Sequence, residues 1–164
     1  MRLAYGVGFL ICASLLGYAY YVQHQLFLDP CPLCIVQRVA FLGMGLFFLI
    51  GALHGPDGWG RRVYALLVTA FGMFGLSVAG RHIYLQNLPA DEVPACGPGL
   101  NYMLDTLPFQ EVLRKVFYGS GECAEVDWVF LGLSMPWWTA IWFVALTVLA
   151  LAFGWKVTRR RLFH

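Results

Sequence analysis

The chain has 164 residues, of which 60% are hydrophobic and only 12% are charged. A soluble domain carries about a quarter charged residues, so the composition predicts a protein whose surroundings are lipid. The formal net charge of +2 comes without a long basic run, and we therefore expect no nucleic-acid partner.

Four apolar windows follow one another, and each is long enough to cross a hydrocarbon core about 30 Å thick as a helix. The windows are 3–22, 35–53, 63–80 and 137–155. Lipid offers the backbone no hydrogen bonds, which favours helices, and none of the windows alternates like a barrel strand. The sequence therefore predicts an all-α membrane protein with a single domain, 1–164, built as a bundle of four transmembrane helices.

The first window has an alternative interpretation as a signal peptide. Arg2 precedes it, and residues 17–19 (Gly-Tyr-Ala) resemble a cleavage site. The apolar window is long for a signal core, however, and an aromatic pair follows the candidate site at residues 20–21. We therefore predict a first transmembrane helix.

Basic residues collect on one face of the predicted bundle. Seven of the eleven Lys and Arg residues lie there: Arg2, Arg61, Arg62, Lys156, Arg159, Arg160 and Arg161. Positively charged flanks stay on the cytoplasmic side, so the link 54–62 and both chain termini are predicted to lie in the cytoplasm. The opposite, outer face then carries a short segment, 24–34, and a long segment, 81–136.

Four of the five cysteines fall on the predicted outer face. Cys31 and Cys34 lie in its short segment, and Cys96 and Cys123 lie in its long segment. An outer face is an oxidising environment, in which an even number of thiols forms disulfides. Cys12 lies within the first span, where we expect a small buried apolar side chain.

The Cys31-x-x-Cys34 motif stands at the mouth of an apolar helix, with Pro30 and Pro32 shaping the turn. Helix N-terminal N–H groups and the helix dipole stabilise a thiolate, which makes the corresponding disulfide a better oxidant. Arg38 follows Cys34 by one turn, so its charge would hold a thiolate or a polarised carbonyl oxygen. Two alternatives remain: Arg38 snorkels to lipid headgroups, or the cysteines form a passive structural disulfide.

The second pair, Cys96 and Cys123, lies in two Gly-rich stretches. A disulfide between them would bridge turn-rich regions, which favours an accessible and labile bond, although a passive staple of the long loop is an alternative. A zinc site made by all four outer cysteines is disfavoured, because such sites use two close pairs and these two residues are 27 apart. We predict no metal site.

The segment Pro108–Tyr118, between Cys96 and Cys123, has apolar residues with the period of an amphipathic helix. Its apolar positions are Phe109, Val112, Leu113, Val116 and Phe117. We expect this helix to lie flat on the outer membrane surface, which would keep the second cysteine pair near the first; a core helix of a loop subdomain is the alternative.

Two dithiol pairs on one face indicate electron passage by thiol–disulfide exchange. A lipid-soluble quinone is an acceptor that could reach the first pair at the membrane surface.

Together these features resemble the bacterial disulfide bond formation protein B (DsbB) family. The resemblance covers nearly the whole chain: four spans, the C-x-x-C motif with an arginine four residues on, the long second outer loop, and the stretch GSGECAEVDWVFLGLSMPWW. It implies an inner-membrane protein-dithiol:quinone oxidoreductase with its active face in the periplasm. The expected activity is reoxidation of a periplasmic thioredoxin-fold oxidase, DsbA, with transfer of the electrons to membrane quinone.

The resemblance also implies roles for the matching cysteines. Cys96 is expected to form the mixed disulfide with the DsbA-like partner, and Cys123 is expected to be its disulfide mate. Electrons then pass to the Cys31–Cys34 pair, of which Cys34 faces the quinone. This order of electron transfer agrees with the chemistry of thiol–disulfide exchange. Stabilisation of a thiolate at Cys34 and removal of electrons by a quinone both favour the exchanges in this direction.

Three further residues are expected at the quinone by the same resemblance. Arg38 matches the arginine that assists there, and His82 with Arg81, at the outer end of the third span, would line the pocket. Headgroup contacts are an alternative for Arg81. Ubiquinone is favoured over menaquinone as the cofactor.

Two rival functions remain at this stage. Vitamin K epoxide reductase-like proteins also join a C-x-x-C motif to a quinone, but there the motif comes late in the chain, whereas Cys31 comes early. The other rival is a four-span scaffold or transport subunit with two structural disulfides.

Overall fold

A computed structural model describes residues 2–26, 30–89, 91–93, 105–119, 121–126 and 128–155. Four of its helices are long and apolar enough to cross a membrane. They are α1 (Arg2–Leu26), α2 (Pro32–His54), α3 (Trp59–Gln86) and α5 (Met135–Trp155). The predicted all-α bundle is confirmed. Each helix contains its predicted window and extends beyond it, because polar residues such as His82 continue the helix past the apolar stretch.

Consecutive long helices pack against each other: α1–α2 and α2–α3 across short connections, and α3–α5 although the long outer segment separates them in sequence. α2 packs against both α1 and α3, and α3 packs against α5. In the described part of the chain, α1 and α5 make few contacts with each other. A space therefore remains between these two helices at the end of the bundle that carries Cys31.

The core contains buried residues of all four long helices. The rings of Phe41 and Phe143 stack with their centroids 4.0 Å apart, and Met44 is fully buried beside them. Gly72 and Gly75 on α3 let α5 approach closely, since a side-chain carbon at Gly75 would overlap the Phe143 ring. Small residues serve this purpose in membrane bundles, where close packing replaces the hydrophobic effect between helices.

At the opposite end of the bundle, arginine side chains link neighbouring helices. Arg2 donates a hydrogen bond to the Leu53 carbonyl (2.9 Å), and the buried Arg61 donates from Nε to the Gly154 carbonyl (3.2 Å). These bonds connect α1 to α2 and α3 to α5. Arg61 thus joins two helices, in addition to its predicted influence on the orientation of the protein in the membrane.

The predicted amphipathic helix is α4 (Phe109–Tyr118), which begins directly after Pro108. Its Val112 and Val116 are buried and pack against Val36 of α2. The Phe117 ring also meets the Phe74 ring of α3 edge to face at 6.1 Å. The buried part of the apolar face therefore lies on the bundle itself, where the sequence analysis expected lipid, because α2 and α3 present a partner surface at this level.

A two-stranded hairpin that the sequence analysis did not predict leads into α5. Its strands β1 (Val129–Phe130) and β2 (Leu133–Ser134) are antiparallel. Leu131 and Gly132 have φ angles of 52° and 79°, as expected of the two central residues in a tight hairpin turn. The Trp138 indole donates to the Phe130 carbonyl (3.1 Å), which ties the hairpin to the first turn of α5.

Candidate active site

Cys31 and Cys34 lie at the N-terminus of α2. Cys31 is the N-cap residue, its Sγ accepts a hydrogen bond from the Cys34 backbone N–H (3.4 Å), and Pro32 occupies the first turn. The two sulfur atoms are 3.0 Å apart. Cys31 is buried, whereas Cys34 is half-buried. The helix terminus thus holds one sulfur against the backbone and leaves the other more accessible.

His82 of α3 lies next to this pair, although it is far away in sequence. Its Nε2 is 3.8 Å from Cys31 Sγ, and its Nδ1 is 3.3 Å from Gln37 Nε2. Gln37 Oε1 in turn lies 2.7 Å from the Thr139 hydroxyl on α5. His82 and Gln37 are only 3% exposed each, so this chain of polar contacts is a buried link across three helices.

Cys123 lies in a short 3-10 turn, Gly121–Cys123, and is fully buried. It belongs to the same apolar cluster as Cys31, and its backbone lies against the His82 imidazole. This burial differs from the accessible position that the Gly-rich sequence indicated. The glycines instead allow a close approach: Gly119 has a φ of 86°, and a side chain there would meet Leu85. Cys96 lies outside the described residues.

Arg38 is held on α1. Its guanidinium donates to Gln23 Oε1 (2.6 Å) and to the Ala19 carbonyl (3.4 Å), and it lies 5.1 Å from the centre of the Tyr20 ring. A cation over an aromatic ring is attracted to it, more strongly where water is excluded. The positive charge is thereby fixed inside the bundle entrance by partners within the protein.

Arg81 takes a different direction from its neighbour His82. Its guanidinium donates to the Tyr118 carbonyl at the end of α4 (2.9 Å) and stacks on the rings of Tyr84 and Tyr118. Among the described residues, it is not part of the cavity wall that holds Cys34 and His82. Successive residues of a helix point in different directions, so only one of this pair faces the cavity.

The cavity between α1 and the start of α5 has a volume of about 1120 Å³. Cys31, Cys34, Arg38 and His82 all line it, beside a largely apolar wall. A line of aromatic rings, which we call the aromatic strip, crosses from α1 to α5. Its members are Tyr18, Trp128, Phe130 and Trp138, with neighbouring ring centres 5.8 to 6.2 Å apart.

Several site residues were missed by sequence reasoning. Gln37 carried a signal, since it is a polar residue inside an apolar window, but nothing in the sequence indicated its partner. Gln23 and Thr139 gave no such signal, because Ser, Thr and Gln at the ends of apolar windows are common. Their roles follow from which helices become neighbours.

Comparison with known proteins supports the same function as this geometry. The family model described as "Disulfide bond formation protein DsbB" matches residues 1–153. The chain belongs to the DsbB family.

Individual DsbB relatives match over nearly their full length. A disulfide bond formation protein B of Marinobacter nauticus is 55% identical over 92% of this chain and 89% of its own. The protein of the same name from Nitrosococcus oceani is 52% identical over 97% and 92% of the two chains. A third, from Xanthomonas oryzae pv. oryzae, is 48% identical over 99% and 95%.

DsbB proteins reoxidise DsbA and pass the electrons to quinone, so the function predicted from the sequence is confirmed. The protein is a multi-pass membrane oxidoreductase of disulfide bond formation. Both rival functions, the vitamin K epoxide reductase-like enzyme and the scaffold, are disfavoured by this membership.

Proposed function

We propose that the protein is a protein-dithiol:quinone oxidoreductase of the bacterial inner membrane, which reoxidises a periplasmic DsbA-like thiol oxidase. The observation that carries the proposal is the position of the Cys31 and Cys34 thiols. They lie 3.0 Å apart in the wall of a cavity of about 1120 Å³, together with Arg38 and His82. This arrangement supports the proposal, because two adjacent thiols, a fixed cation and an imidazole that can accept a proton surround one space.

The residues of this cavity fit a quinone. Ligand pockets are mostly apolar clefts of about 300–1,000 Å³ with a few well-placed polar groups. This cavity has the same character and, at about 1120 Å³, is slightly larger. The aromatic strip supplies flat apolar surface for a ring, and Arg38 supplies N–H donors for a ring oxygen. The opening between α1 and α5 gives a lipid-soluble tail a route out of the bundle. A bound quinone would accept two electrons and two protons.

Electrons are proposed to enter through the second cysteine pair. A thiolate of the DsbA-like partner attacks Cys96, Cys123 leaves as a thiolate, and the partner's second thiol then releases Cys96, so that the partner gains a disulfide. A thiolate of the reduced second pair next attacks the Cys31–Cys34 disulfide, and closure of the Cys96–Cys123 disulfide then releases Cys31 and Cys34 as thiols. Burial of Cys123 in the cluster of Cys31 supports this second exchange, because Cys123 already packs in the same cluster as the first pair.

Arg38 and His82 are proposed to manage charge and protons when the first pair is reoxidised. Closing the Cys31–Cys34 disulfide releases two electrons and two protons. His82 can take the proton of Cys31, whose Sγ is 3.8 Å from its Nε2, and Gln37 keeps the ring oriented. Arg38 places positive charge where a quinone oxygen becomes negative, which is the kind of preorganised stabilisation that enzymes use most. Arg81 is left out of this site because it contacts α4.

Quinol formation by the purified protein tests the proposal. With a reduced DsbA-like oxidase as donor, we expect turnover in the unchanged protein and none in Cys34→Ser. The matched control is Cys12→Ala, because Cys12 is buried in the core on α1, away from the cavity. Normal turnover in Cys34→Ser would contradict the mechanism. Running the assay with ubiquinone and with menaquinone identifies the preferred quinone, which we propose is ubiquinone.

A further inference from the structure

Three side chains of the site bring together the donor atoms that soft divalent metal ions prefer. The sulfur atoms of Cys31 and Cys34 and an imidazole nitrogen of His82 all lie within 4.8 Å of one another. Thiolate and imidazole ligands select cations of the zinc type over magnesium or calcium. No metal site was predicted from the sequence, where only a site of four cysteines was considered. His82 is 51 residues from Cys31, and the packing of α3 on α2 brings the two together.

We propose that the reduced Cys31–Cys34 pair, together with His82, binds a thiophilic divalent cation of the zinc class. A tetrahedral zinc ion holds two sulfurs about 3.8 Å apart and a sulfur and a nitrogen about 3.6 Å apart. Cys31 Sγ and His82 Nε2 are 3.8 Å apart, which already matches. The two sulfur atoms, now 3.0 Å apart, must separate by about 0.8 Å, a movement within the range of side-chain rotation.

The polar link behind His82 can present the nitrogen in the form that a metal needs. The Thr139 hydroxyl lies near two acceptors, Gln37 Oε1 (2.7 Å) and the Pro136 carbonyl (2.9 Å), but has one proton. Half a turn of the Gln37 carboxamide resolves this: its NH₂ donates to Thr139, Thr139 donates to Pro136, and Oε1 accepts from His82 Nδ1–H. The Nε2 lone pair then faces Cys31. Such a second bond fixes the tautomer of most metal-binding histidines.

The fourth coordination position faces the cavity. All three ligand residues line the cavity, so water or a small anion can complete the tetrahedron, as in zinc sites with three protein ligands. Binding replaces the two thiol protons with one cation and moves no electrons. While the cation is bound, neither sulfur can form a disulfide, so it holds the site reduced and stops turnover. A quinone ring and the metal also compete for the same space.

Titration of the purified full-length protein with Co²⁺ tests the inference, because tetrahedral thiolate-bound cobalt has visible absorption bands. We expect one equivalent to bind the reduced protein and Zn²⁺ to displace it. The oxidised form of the same protein is the control that needs no substitution, and it should bind none. Equal binding to both redox forms would overturn the inference.

Substitutions then assign the ligands. Cys34→Ser and His82→Gln should abolish the cobalt bands or weaken binding strongly, whereas Cys96→Ser should leave both bands and affinity unchanged. Loss of the bands in Cys96→Ser, or their full retention in Cys34→Ser or His82→Gln, would assign the metal to other groups. His54→Gln, which changes an exposed histidine at the other end of α2, is the matched control for His82.

Two substitutions of Gln37 test whether this residue supports metal binding or has a purely structural role. Gln37→Leu should weaken cobalt binding about 10–100-fold, as expected for loss of a group that orients a ligand. Gln37→Glu should bind at least as tightly as the unchanged protein, since a carboxylate accepts the Nδ1 proton more strongly. Equal affinity in Gln37→Leu and Gln37→Glu would contradict the arrangement. These binding measurements need neither the partner oxidase nor quinone, so they stand apart from the test of the proposed function.

Discussion

Arg38→Gln is the substitution that most directly tests how the cavity handles quinone. It removes the positive charge from the wall and keeps a polar side chain of similar width. The guanidinium is held by Gln23 Oε1 at 2.6 Å and by the Tyr20 ring at 5.1 Å, so the charge has a fixed position to lose. Because Arg38 lies on the cavity side of the site, exchange between the two cysteine pairs should be little affected.

The expected magnitude follows from the contact that is lost. A hydrogen bond to a charged group contributes about 1.5–3 kcal/mol, and each 1.4 kcal/mol is a factor of ten. The kcat/KM for quinone should therefore fall about 10–150-fold. Arg38→Lys should lose less, since it keeps the charge but lacks the planar fork that contacts Gln23 and the Ala19 carbonyl together.

Two measurements separate the quinone step from thiol exchange. Quinol formation is followed at varied quinone with saturating reduced oxidase, and a single exchange between the oxidase and the protein is followed without quinone. Only the first should change in Arg38→Gln. Arg62→Gln is the matched control, an exposed arginine at the opposite end of the bundle. An unchanged kcat/KM for quinone in Arg38→Gln, or an equal loss in Arg62→Gln, would refute the reasoning.

Three other substitutions test the architecture around the site. Gln37→Leu leaves the buried His82 nitrogen without its partner and should cost about 1–3 kcal/mol in the free energy of unfolding, measured in detergent, together with a loss of turnover; no change in either would count against the buried link. Gly75→Ala places a methyl group on the Phe143 ring and should destabilise by about 1–3 kcal/mol, whereas Gly80→Ala on the same helix meets nothing within 4 Å and should not lower the melting temperature. Val116→Asp removes roughly 1.5 kcal/mol of burial and should speed protease cleavage of the long loop about tenfold; equally fast cleavage in a variant at the exposed neighbour, Lys115→Asp, would refute docking of α4 on the bundle.

The amino-acid sequence by itself determined the four spans and the part of the site whose residues are close in sequence. Long apolar windows become helices in lipid because the backbone has no other way to satisfy its hydrogen bonds. Cys31, Cys34 and Arg38 could be grouped in advance because they are separated by about one helical turn each. The amphipathic segment was likewise predictable, since the period of its apolar residues is a local property.

The surroundings of these residues depend on contacts between distant segments. The apolar face of α4 packs on α2 and α3 because Val36 and Phe74 present an apolar surface there. The sequence pattern of α4 contains no information about that surface. The glycines before Cys123 indicated a loose, exposed stretch, but the same absence of side chains permits tight packing against Leu85. A single local pattern is compatible with either outcome.

Only the tertiary structure decided what completes the active site. Arg81 and His82 are neighbours in sequence, yet the helix turns them apart, so that His82 meets Cys31 and Arg81 meets Tyr118. Gln37 and Thr139 join that histidine from two other helices. The sequence specifies which side chains are available at each height of the bundle, because helical rise is regular. Which of them touch depends on the rotation and order of packed helices, and those are set by shape complementarity across the whole core.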